Sequence, residues 1–82
     1  APAQVAAIAS AVVGGGIDRV IHLRTMHLGP EELLVAAKVA FPQSATLADV
    51  AAAIDAAEER IRAAVPSARV IYLEPDVFRE TG

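Results

Sequence analysis

The sequence contains no cysteine, which excludes disulfides and every zinc site built on thiolates. Aromatic residues are scarce: Phe41, Tyr72 and Phe78 are all there are. No basic run occurs, and seven Lys and Arg face ten Asp and Glu, for a net charge of −3. A nucleic-acid surface needs clustered positive charge, usually with stacking groups, so that role is not expected. A long hydrophobic run is also missing. The most apolar stretch, Val5 to Val13, is about half the length of a membrane span. It has no basic segment before it and does not read as a signal peptide. The chain as given reads as soluble, and it is compatible with being part of something larger. Catalytic patterns are equally thin. Ser10 and Ser67 lie among alanines, and no Ser-His-Asp or paired-carboxylate arrangement stands out. Gly14-Gly15-Gly16 follows a helix rather than joining a strand to one, so it is not a phosphate loop. No enzyme is expected.

What the sequence does have is small apolar side chains. Of its 82 residues 55% are hydrophobic, much of this alanine. A chain this short buries only about 60–65% of its unfolded surface, so its stability alone is marginal. Pairing with a second copy is one way to make up the deficit. A thin two-layer structure with one face left to share follows from that composition.

The order of elements is α-β-β-α-β. In "APAQVAAIASAVVGGG", Val5, Ile8 and Val12 recur at helical spacing, and the glycine run ends the helix. "IDRVIHLRTMH" reads as a strand with Ile17, Arg19, Ile21, Leu23 and Thr25 on one face. Val20, His22, Arg24 and Met26 share the other. After the Gly29-Pro30 corner and Glu31-Glu32, "LLVAAKVAF" is apolar nearly throughout, as suits a central strand. The short connection makes these two an antiparallel hairpin. Thr46 and Asp49 form a capping-box pattern. Leu47, Val50, Ile54, Ala57, Ile61 and Val65 then trace a buried stripe, with Asp55, Glu58, Glu59, Arg60 and Arg62 outward. Glu58 and Arg62 make an i,i+4 pair. Pro66 stops the helix, and "ARVIYLEPD" is a third strand ending at Pro75. A right-handed crossover makes strands two and three parallel. The expectation is an α+β fold: a three-stranded mixed sheet in order 1-2-3, two helices on one face, the other face open. Residues 1–82 form one domain, with a leading helix and glycine linker over 1–16, a core over 17–76 and a tail over 77–82.

The ordered set "LRT…GPEELLV…E…P…V…EPD", with the helix "ADVAAAIDAAEERIR" inside it, resembles the C-terminal domain of cation diffusion facilitator transporters. The likeness runs from Ile17 to Asp76, and the preceding helix also has a counterpart. The resemblance implies a metallochaperone-like, ferredoxin-like fold that forms a homodimer at the cytoplasmic face of the cell membrane. A transmembrane half would lie upstream in the same chain and export divalent transition metals in exchange for protons. The alternative is a free-standing small α/β ligand-binding or assembly module, attached to no transporter.

The family's usual metal ligands do not carry over. Histidines expected at the positions of Ile21, Ala37 and Leu73 are replaced there by apolar residues. His22 is displaced by one residue, which in a strand means the opposite face. His22 and His27 have opposite parity and do not share one ion in a regular strand. Zinc asks for about four ligands. The residues left to supply a metal site are His22, Glu74 and Asp76, and carboxylates suit manganese as well as zinc. Arg24 and Lys38 share the face of His22 and oppose a cation there. A weak or degenerate site for zinc or manganese, or no site at all, and no other cofactor, is therefore expected; His22 otherwise serves as a polar strand residue.

Overall fold

Helix α1 spans Pro2–Val12, and its alanines supply helix propensity while Ile8 and Val12 supply the buried contact. The computed structural model describes residues 2–77; Ala1 and residues 78–82, hence nearly all of the expected tail, lie outside them. Val5 of the expected stripe is exposed. The helix stops because Gly14, Gly15 and Gly16 all adopt positive φ, at 116°, 58° and 108°, a region costly to residues with a Cβ. Gly14 and Ile17 close the reversal by exchanging backbone hydrogen bonds of 3.0 and 3.1 Å.

Strand β1 spans Arg19–Gly29 and strand β2 Glu32–Phe41, joined through Pro30 and Glu31. Helix α2 covers Leu47–Ala64 and strand β3 Ala68–Val77. The sheet order is β1-β2-β3, antiparallel between the first pair and parallel between the second. The architecture is the expected one, with both helices on one face. Its core joins Ile8 and Val12 of α1 to Leu33, Val35, Ala37, Val39 and Phe41 of β2, and to Ala53, Ala57 and Ile61 of α2. No polar or charged residue is buried among the described residues.

Several expectations are corrected. Ile17 precedes β1 rather than belonging to it. Val20 pairs with Val39 and His22 with Lys38, so Ile21 is an extra residue, a β-bulge. The bulge puts Val20 on the core side, against the same cluster as Leu23, where simple alternation had set it on the open face. On α2, Leu47 is 84% exposed; the buried stripe is Ala53, Ala57 and Ile61, with Val50 and Ile54 half-buried beside it. Arg60 does not face outward. Its guanidinium donates to the carbonyls of Ala11 and Val12 at 2.7 and 3.1 Å, capping the C-terminus of α1 from the neighbouring helix. Strand β3 does not end at Pro75, which pairs in register with Val39 and is followed by two further ladder positions. Proline is tolerated there because β3 is an edge strand.

The Thr46 cap is as the sequence indicates. The Asp49 N–H donates to the Thr46 hydroxyl oxygen and the Thr46 N–H donates to the Asp49 carboxylate, both at 3.0 Å.

Candidate functional site: the open face of the sheet

Parity along three strands decides what the uncovered face displays. Below the bulge, β1 presents His22, Arg24 and Met26; β2 presents Lys38, Ala36 and Leu34; β3 presents Glu74, Tyr72 and Val70. The register sets these in rows across the sheet: His22–Lys38–Glu74, then Arg24–Ala36–Tyr72, then Met26–Leu34–Val70. Met26 is 61% and Tyr72 64% exposed, so large apolar surface stands in water on this side of the sheet. A shallow groove of about 240 Å³ is lined by His22, Arg24, Lys38, Tyr72 and Glu74.

The row containing His22 shows why a cation is poorly served. The Lys38 ammonium lies 3.4 Å from a Glu74 carboxylate oxygen, with both side chains partly in solvent. Lys38 stands between His22 and Glu74 on the central strand. A divalent ion shared by those two would therefore meet a fixed positive charge and compete for a carboxylate already paired. Asp76 lies one ladder step beyond that row, in register with Ala40, and its carboxylate accepts the Val77 N–H at 2.8 Å. Among the described residues no three His, Asp or Glu gather into a cluster able to hold a metal ion. A single copy thus does not fit a tight metal site.

The two histidines are kept apart. No register shift separates His22 from His27, so they stay on opposite faces, and His27 pairs with Leu33. The bulge at Ile21 lies before both and brings them no closer. Ala37 and Leu73 are neighbours in register and both buried; a ligand at either would point into the core rather than at the open face.

Sequence reasoning missed two features here. One is the Lys38–Glu74 pair, signalled by a single lysine in an otherwise apolar strand. The other is a hollow of about 440 Å³ on the opposite side, between Gly15, Gly16, Phe41 and the first turns of α2. Its titratable lining residue, Asp49, is already spent on the cap. The backbone N–H of Thr46, and then its side chain, hold Asp49 below its ordinary 3.8. No helix of the described residues is long and apolar enough to cross a membrane.

A family model for the cytoplasmic domain of cation efflux proteins matches residues 2–76. Among solved structures, a nickel form of a MamM CTD variant superposes with a TM-score of 0.88 at 15% identity, covering 96% of this chain and 100% of that one. A doubly substituted MamM CTD gives 0.87 at 18% identity, over 95% and 94%. A copper form gives 0.87 at 15% identity, over 95% and 98%. Identities this low carry the fold and no more. A comparison with curated proteins finds no match.

Proposed function

The chain belongs to the family of cation efflux protein cytoplasmic domains, and from that premise we propose that it is the dimerising, regulatory end of a proton-coupled exporter of divalent transition metals. It would form a homodimer, follow a transmembrane half in the same chain and sit at the cytoplasmic face of the cell membrane. The proposal assigns it no catalysis. The observation that supports the reading best is the sheet itself, helix-covered on one face and displaying exposed Met26 and Tyr72 on the other. Exposed apolar patches on small domains mark surfaces that associate. Family membership leaves the free-standing module without support.

Metal binding forms the finer part of the proposal. Variants of the MamM CTD have nickel, copper and cadmium forms. In this chain the donors are few, and a weak site for zinc or manganese would draw on His22 with Glu74 or Asp76, contributed across two copies. The test is calorimetric titration of the domain with zinc and with manganese, on the native chain and on His22→Ala. Weak binding, reduced by the substitution, is expected. Submicromolar zinc binding that His22→Ala abolishes would show a true sensor site; binding that the substitution leaves unchanged would remove His22 from it.

A further inference from the structure

The groove that serves a cation poorly has the chemistry for an anion. Strand β1 carries Arg19, His22, Arg24 and His27 and not one acid, in a chain whose acids outnumber Lys and Arg by ten to seven. Most of the described cations are already occupied. Arg60 donates to carbonyls of α1, Arg62 pairs with Glu58, Lys38 pairs with Glu74, and Arg19 has an interaction of its own. The Arg24 guanidinium has no hydrogen-bond or ion-pair partner among the described residues, and it stands on the open face.

Room for a ligand comes from the centre of its row. Arg24, Ala36 and Tyr72 lie in register across β1, β2 and β3. Neighbouring strands are about 4.8 Å apart, so Arg24 and Tyr72 rise roughly 10 Å from one another with only the Ala36 methyl between them. That dip is the floor of the groove of about 240 Å³, which His22, Lys38 and Glu74 line as well.

The groups around it are mostly donors. A guanidinium presents a planar fork of N–H groups that matches an oxyanion in bidentate fashion. Tyr72 is 64% exposed, and its phenol can donate a hydrogen bond. The Lys38 ammonium has three donors, and Glu74 at 3.4 Å engages one of them. His22, one row away on β1, adds an N–H in either neutral tautomer. Among the described residues the lining thus holds two permanent cations, Arg24 and Lys38, against one carboxylate, Glu74.

We propose that the groove over Ala36 binds a small soluble oxyanion carrying two negative charges, held by Arg24 and Lys38 with Tyr72 opposite. Two charges suit it because two cations face the ligand. A lipid headgroup is less favoured as the source of that anion, since the chain's net charge of −3 opposes an anionic bilayer. The site is complete in one copy and does not depend on the homodimer. Where two copies share this face, a bound anion offsets the positive charge that each brings to it.

Sulfate and inorganic phosphate are the probes, titrated with chelator present into the native domain while its amide N–H spectrum is followed. Sodium chloride at matched ionic strength is the reference. Saturating shifts centred on Arg24, Ala36, Lys38 and Tyr72 are expected. Arg24→Gln should weaken binding at least fivefold, whereas Arg62→Gln, which removes the same charge elsewhere, should leave it unchanged. Glu74→Gln should tighten binding at least twofold, because it deletes the competing carboxylate and releases Lys38. The same substitution should weaken any zinc or manganese binding, so the anion and metal readings fail separately. Shifts no different from those with chloride, or equal losses in the two arginine variants, would overturn the site as general screening. Weaker anion binding by Glu74→Gln would overturn the arrangement of charges. Association with phosphatidic acid vesicles without binding of either soluble anion would overturn the soluble ligand.

Discussion

Three side chains hold the helix ends, Thr46 and Asp49 at the start of α2 and Arg60 at the end of α1, and each makes a separate prediction. Thr46→Ala removes the N-cap of α2 and should cost about 1 kcal/mol in a denaturant melt. Its partner Asp49 has a folded pKa below the unfolded value. A depressed carboxylate stabilises above its unfolded pKa and loses that contribution as pH falls through the folded one. Asp49→Asn should therefore be less stable than the native chain at neutral pH, and the difference should close as the solution is acidified below 3.8. A difference that persists undiminished in strong acid would show that the carboxylate's charge is not what the cap uses. Arg60 makes the converse case at a C-terminus. It satisfies carbonyls of α1 and places positive charge at the negative end of that helix. Arg60→Ala should cost about 1–3 kcal/mol, against about 0.3–0.5 for Arg62→Ala, which loses only a solvent-exposed pair with Glu58 at 3.8 Å. Equal melts for the two arginine variants would contradict the bridging role.

At the scale of elements, the packing of α2 ranks its apolar positions. Ile61 is fully buried and Ile54 only partly, so Ile61→Ala should cost about 2–5 kcal/mol and Ile54→Ala distinctly less. The reverse order in melts would mean that the helix is rotated from the orientation described. Element order, strand directions and the cap were all legible in the sequence because each has a local cause: periodicity, a turn, a capping pair. The failures share a different cause. The bulge at Ile21 arises from the pairing of two strands, and "VIHLR" alternates perfectly well without one. Leu47 fits the helical stripe by spacing, yet it lies in the first turn, where the sheet does not reach it. Arg60 looks like any outward arginine until α1, some fifty residues earlier, is placed beside it. The candidate site was half legible: His22, Arg24 and Lys38 were rightly assigned to one face, whereas the pairing of Lys38 with Glu74 needed the register of β2 against β3.

In the molecule as a whole, a one-sided core lies behind a face on which the described residues supply neither a cover nor a metal cluster. The core is built largely from alanine, valine and isoleucine, and association adds the stability such a small domain lacks. A metal bound between two copies would tighten the association by mass action. Here Lys38 supplies a permanent positive charge beside Glu74, so dimerisation should not depend on added zinc. Sedimentation equilibrium across the micromolar range, with chelator and then with zinc, tests this most directly. The account predicts a species of twice the 8.5 kDa chain mass under both conditions, with dissociation constants within a few-fold of each other. A monomer that persists at high concentration, or a dimer that forms only when zinc is added, would contradict it.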